Sequence, residues 1–196
     1  MARTRDENKR AAVLQASTML FSQKGFVNTS ISDIVKETGL SVGTIYTYFK
    51  SKDEIVRAII EEGWSALYAR LKETLSSSES AEAKLRLLIG RFIPELSQDM
   101  PLITILLSEA IAYTRIEEKV EALTDLVFSA MKPLLGAKAS LAGITRDTLR
   151  TSLVVFFLGI MNTLKIARSS SIGISEKDVL MFVTMMAENS LGLILR

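Results

Sequence analysis

Residues 20–54 read LFSQKGFVNTSISDIVKETGLSVGTIYTYFKSKDE. Ser30 can cap a helix whose apolar positions are Ile31, Ile34 and Val35. Gly39 can close that helix in the left-handed C′ conformation, which leaves Leu40 at C″ facing Val35. Ser41 caps the next helix, VGTIYTYF, only a few residues further on. Upstream, Val13, Ala16, Leu20 and Phe21 share one face of a helix running from about residue 6 to Lys24; Gly25 stops it and sets Phe26 against Phe21. Downstream, Ser51 and Glu54 form an S-x-x-E capping box that opens a long helix toward Leu75. A support helix, two short helices and a tight glycine-bearing turn are the parts of a helix-turn-helix, a spacing that any short helix pair can share.

Beyond Leu75 the serine-rich stretch at residues 76–80 interrupts the apolar periodicity and marks a boundary. Further helices are predicted over about Ala81 to Ile93, where Pro94 kinks or ends the element, from Met100 and Pro101 onward, over Ile116 to Leu135 before Gly136, and over Arg146 to Arg168. Residues 136–144 read as loop, and Ser175 with Asp178 opens a last helix. Leu153, Phe157, Ile160 and Leu164 form one apolar stripe of the Arg146–Arg168 helix, and Val154, Val155, Leu158 and Met161 fill others. The last helix has a similar excess in Phe182, Val183 and Met186. Such surplus fits a two-fold, four-helix subunit interface, or else a large monomeric core. No strand pattern is evident, so the fold class is all-α.

The chain has 196 residues, 48% of them hydrophobic, with only 3 prolines and 10 glycines, which suits a helical globular protein and not a disordered one. It contains no histidine and no cysteine, which excludes disulfides, Cys or His zinc sites, haem ligation by those residues and Ser-His-Asp or Cys-His catalysis. No metal and no cofactor is expected. The charged N-terminus lacks a secretory h-region, and the apolar run LVVFFLGIM from Leu153 is short of the roughly 18–20 residues that cross a bilayer. A cytoplasmic protein without a membrane partner is expected. Residues 1–52 carry eight bases and four acids, a net of +4, so the other 144 residues carry 16 bases and 18 acids, a net of −2. That asymmetry suits a polyanion-binding segment on a neutral body, as well as ordinary solvated charge.

On a helical wheel of about 100° per residue, Val42, Ile45 and Phe49 fall together and should face the interior, while Gly43, Thr44 and Thr47 point away. Tyr46 and Tyr48 project to opposite sides, where their hydroxyls can reach phosphates on the two walls of a groove. Small outward side chains permit close backbone approach, and threonine offers a hydroxyl to base edges and a methyl to thymine. Tyrosines packed in a core and threonines merely solvated would be the plainer reading of any one position. Lys52 sits in the first turn of its helix, the unfavourable end of the macrodipole for a cation, unless an anion such as a DNA phosphate binds there.

This stretch resembles the N-terminal signature of the TetR/AcrR family of bacterial transcriptional regulators. The matching positions are Leu20-Phe21, Gly25-Phe26, Thr29-Ser30, Asp33-Ile34, Gly39, Ser41, Gly43, Tyr46, Tyr48-Phe49 and Lys52. The likeness spans about residues 7–67, and Tyr48 stands where the family usually has histidine. The resemblance implies a DNA-binding domain at 1–52 with its helix-turn-helix at 30–49, a connecting helix at 53–75, and an effector-binding and dimerisation domain at 76–196. It implies that Ser30 and Ser41 contact DNA near their helix starts, that Ser32, Val42, Gly43, Thr44 and Thr47 lie nearest bases, that Tyr46, Tyr48 and Lys52 reach phosphates, and that Arg3 and Arg5 form a minor-groove arm. It also implies a homodimer through the last two helices and an effector pocket whose occupation changes the separation of the two reading heads.

Arg91, Glu109 and Asn162 are polar groups on mostly apolar elements and are the effector-binding candidates, though another side chain or water can equally satisfy them. Trp64, Tyr113 and Phe128 read as core. The leading expectation is a repressor that binds a palindromic double-stranded operator and is released by a small apolar or amphipathic effector. An architectural or protein-recruiting DNA-binding module without an effector is the alternative. An enzyme is not expected, because no spaced carboxylates fall on one buried face.

Overall fold

The computed structural model describes residues 2–76, 79–137, 143–169 and 173–191, and among them every regular element is helical. The helices are α1 (Ala2–Lys24), α2 (Ile31–Thr38), α3 (Val42–Tyr48), α4 (Lys52–Leu75), α5 (Ala81–Leu87), α6 (Ile93–Ser97), α7 (Met100–Ser108), α8 (Ala110–Tyr113), α9 (Ile116–Ala137), α10 (Arg146–Ser169) and α11 (Glu176–Leu191). Packing divides the chain differently from the sequence reading. Residues 101–115 join residues 1–65 in one compact unit, and residues 66–100 with 116 onward form the other.

The first unit is built as its punctuation predicts. Gly25 and Gly39 take φ of 81° and 68°, the left-handed region open to a residue without Cβ. Their amides donate to the carbonyls of Phe21 and Val35 at 2.9 Å each, closing α1 and α2. Phe26 then meets Phe21 edge to face at 5.3 Å between centroids. Ile34, Ile45, Ile55 and Ile60 are fully buried, and each contributes about 1.5–3 kcal/mol by leaving water. Gly63 is a close approach: a Cβ there would lie 2.7 Å from Leu102 Cδ1, so α7 packs against α4 where a side chain is missing.

In the second unit, Ile89 and Leu134 form a buried pair with Leu85, Leu135 and Val183 packed around it. The Ala81–Ile93 helix does not end at Pro94. A π-helical turn, Leu88–Phe92, widens the backbone ahead of the proline, and α6 continues with Pro94 in its first turn, where the missing N–H costs nothing further. Gly136 likewise lies inside α9, which runs to Ala137; residues 138–142 of the expected loop lie outside the described residues. Arg146 pairs with Glu121 and, at 2.7 Å, with Asp125, and Arg150 donates to Glu121 at 2.5 Å, tying α10 to α9. The two guanidiniums hold the Glu121 carboxyl below its ordinary range.

The expected interface stripe is only partly on the surface. Leu164 is fully buried and Val183 is packed in its own unit's core, so Leu164 serves the interior and cannot face a partner. Leu153, Phe157 and Ile160 are half-buried. Phe182 and Met186 of the expected set are exposed, and beside them α10 and α11 expose Val155, Phe156, Leu158, Ile166, Met181 and Met185. Residues 146–168 are also long and apolar enough, by length and composition alone, to cross a bilayer, because scattered polar residues do not offset the run that LVVFFLGIM begins.

Candidate nucleic-acid interface

Helix α3 is held by its own two buried anchors, Ile45 at 0% exposure and Phe49 at 3%, and Arg10 of α1 lies 5.4 Å over the Phe49 ring. Val42 departs from the wheel. As the first helical residue it stands at the edge of the bundle and is 48% exposed, so it belongs with Gly43, Tyr46 and Thr47 on the outward face and not with the core. Thr44 is half-exposed beside them, and Ser32 of α2 is exposed.

The hydroxyls on this face are not equivalent. Ser41 Oγ accepts the Thr44 amide at 3.1 Å and lies 2.8 Å from Thr44 Oγ1. One of their two hydroxyl protons bridges the pair, and the other is left for an external acceptor. Thr47 Oγ1 donates to the Gly43 carbonyl at 3.0 Å, so Thr47 presents lone pairs and a methyl, chemistry that fits an exocyclic amine or a thymine methyl. Ser30 differs again. Its Oγ lies 2.7 Å from Asp33 Oδ2 and its amide donates to the same oxygen at 2.9 Å, while Oγ accepts the Asp33 amide. The Ser30 hydroxyl proton is thus given to a carboxylate, so a phosphate oxygen would have to compete with Asp33 for it. The reciprocal cap holds the Asp33 carboxyl down at about 2.

Lys52 is engaged within the chain. Its Nζ donates to the carbonyls of Phe26 and Thr29 at 2.7 Å each and of Val27 at 3.4 Å, and stands 4.3 Å from the Phe26 centroid. An ammonium has three protons, and all are committed to the loop before α2. These neutral carbonyl dipoles offset its unfavourable place at a helix start within the chain itself. Tyr48 donates its hydroxyl to Asp6 of α1, and that bond, with burial, raises the phenol above its ordinary range. The Ser51–Glu54 box is half-formed: Ser51 Oγ caps the Glu54 amide at 3.1 Å, but the Glu54 carboxylate returns to the Lys50 amide.

Several groups had no signal in the sequence. Asp6 meets Tyr48 across 42 positions. Tyr113, read as core, packs edge to face on Phe26 at 5.4 Å and donates to Asp53 at 3.0 Å, with its phenol raised by burial and then by that bond. Thr114 adds a bond to Glu61 at 2.7 Å. Of the effector candidates, Arg91 is exposed and paired with Glu95 at 2.7 Å, and Asn162 is exposed and donates to its own helix at Leu158. Neither is the buried, unsatisfied group that the sequence reading assumed. Glu109 is half-buried, ahead of α8. Arg3 and Arg5 fall within α1, and their side chains lie outside the described residues.

A support helix, a capped short helix, a left-handed glycine and a second short helix with a small, polar outer face define a helix-turn-helix protein. Residues 13–59 match the model of the bacterial regulatory proteins of the tetR family. Residues 13–59 are therefore a TetR-family N-terminal domain. It is 32% identical over 125 residues to an uncharacterised helix-turn-helix-type transcriptional regulator, YvdT, of Bacillus subtilis (strain 168), covering 63% of each chain. It is 29% identical over 87 residues to the fatty acid metabolism regulator protein of the same organism, covering 44% of this chain and 45% of that one. The chain therefore matches less than two thirds of either relative. The fold extends further than the sequence likeness: the solved structure of FadR from Bacillus subtilis in complex with stearoyl-CoA has a TM-score of 0.70 at 19% identity, covering 93% of this chain and 96% of that chain.

Proposed function

We propose that this protein is a dimeric DNA-binding transcriptional regulator, most simply a repressor that occupies a palindromic operator. The observation that carries the reading is the outer face of α3, where Val42, Gly43, Tyr46 and Thr47 stand exposed over the buried Ile45 and Phe49. A helix this short with small residues outward can enter a major groove, and the spare proton of the Ser41–Thr44 pair can reach a phosphate or base edge. Dimerisation falls to the exposed apolar face of α10 and α11, which a second copy would cover. A small apolar or amphipathic effector would release DNA by binding better to one separation of the two heads than to the other. The B. subtilis structure holding stearoyl-CoA suggests long-chain acyl thioesters as the first probe. Selection of a preferred duplex, followed by anisotropy titration at several salt concentrations with and without stearoyl-CoA, tests the reading. Binding should fall linearly in log–log salt plots and retain a sequence preference. Indifference to every duplex at low ionic strength would overturn it, whereas operator binding untouched by acyl thioesters would favour the architectural, effector-free alternative.

A further inference from the structure

The Tyr48 hydroxyl has one proton, and the structure gives that proton to Asp6. Asp6 and Arg10 are four residues apart on α1 and so share a face; Arg10 reaches over Phe49 to Glu62 of α4, and Asp6 reaches the last residue of α3. Among the four acids of the basic N-terminal segment, Asp33 is committed to its own helix cap and to Lys24. Asp6, in contrast, places an exposed carboxylate on a side chain at the rim of the outward α3 face. A phosphate oxygen is also an acceptor, so the phenol cannot serve both. Any phosphate that reaches Tyr48 must displace a carboxylate and sit beside its negative charge.

We infer that Asp6 is a positioning residue that restrains Tyr48 and sets a threshold for nucleic-acid binding, an autoinhibitory contact released only when a phosphate outcompetes it. The inference rests on the proposed DNA-binding function and goes beyond it, since that function does not require the restraint. Asp6→Asn keeps an acceptor of similar shape and removes the charge. It should tighten duplex binding roughly threefold to tenfold at low salt, with the gain shrinking as salt screens the carboxylate. Tyr48→Phe should erase that gain, so that the double variant binds like Tyr48→Phe alone.

Anisotropy titrations of the four full-length proteins on one duplex, with thermal melts of each, decide the matter. A gain of equal size in the Tyr48→Phe background would mean that Asp6 acts by charge alone, and would overturn the restraint. Weaker binding by Asp6→Asn, or an equal affinity, would overturn it too; weaker binding with a lowered melting temperature would assign the contact to folding. If the wild-type protein ignores DNA while remaining folded, the functional reading itself fails, an outcome distinct from any of these.

Discussion

The two units solve the burial problem differently. In the first, the large aliphatic side chains are inside and the polar groups near the turn are satisfied locally: Lys52 by three carbonyls, Ser30 by Asp33, Thr29 by the Gly25 carbonyl. Its exposed apolar residues, such as Val27 and Ile111, are few. In the second, the charges of α9 and α10 are paired with each other, yet two adjacent helices leave Val155, Phe156, Met181 and Phe182 at least half exposed. Deeper in this unit Ser17 Oγ and Trp64 Nε1 are buried without a hydrogen-bond partner, so the local satisfaction is a property of the turn region, and the small residues that region presents on α3 are shaped for a polar partner. A unit that leaves aromatic and methionine side chains in water carries the apolar surface that the proposed dimer would cover.

Charging that apolar face should have the largest effect. Phe182→Glu, or Phe156→Glu, should convert dimers to monomers in sedimentation velocity. Losing simultaneous contact with both half-sites should lower affinity for a palindromic duplex by about 100-fold or more. Dimers that persist in both variants would break the comparison, because the second unit would then have to hide its surface elsewhere. The locally satisfied turn of the first unit is probed by Lys52→Met, which keeps the apolar stem but removes charge-assisted bonds to the 26–29 loop. It should lower unfolding stability by about 2–3 kcal/mol in urea titrations. The slope of binding against salt should stay as it was, since no phosphate contact is lost; a flattened slope with unchanged stability would return Lys52 to the DNA.

These outcomes bear on what could be read without coordinates. The turn glycines, the serine caps and the apolar spacing of α1 to α3 were legible because each is a local rule, obeyed within four or five residues. Lys52 was not. Its position at a helix start points to an anion, but the groups that hold it within the chain are neutral carbonyls 23 to 26 residues earlier, which no local spacing encodes. Leu164 was misplaced for a related reason: on a helix apolar on several sides, periodicity cannot say which stripe meets the core and which meets water. Pro94 reads as a kink or a stop, and composition cannot choose between them because the π turn that accommodates it has no signature there.

A smaller effect is expected at the α3 face. Thr44→Ala removes one member of the hydroxyl pair with Ser41 but no charge. It should cut the discrimination between the preferred duplex and single-base variants by about 1 kcal/mol, leaving affinity for random sequence and its salt slope intact. A uniform loss across all duplexes would instead assign Thr44 to the backbone, and α3 would then sit on the groove's edge.

The smallest effect concerns the cap at the turn of the first unit. Asp33 lies at about 2, below its ordinary 3.8, because the Ser30 hydroxyl and amide both favour its charged form, with Lys24 assisting. A depressed carboxyl contributes stability that is fully present above its unfolded value and disappears as pH falls through the folded one. The contribution is therefore intact above about pH 4 and lost between there and about pH 2. Asp33→Asn keeps an oxygen for the Ser30 amide but cannot titrate. Its stability should lie below that of the wild type near neutrality, and the gap should close as the pH drops through this window. Chemical denaturation at closely spaced pH values measures both curves. If they run parallel down to the lowest pH, the reciprocal cap does not couple to folding, and the contrast between a locally satisfied turn in the first unit and an exposed apolar face in the second loses its clearest electrostatic support.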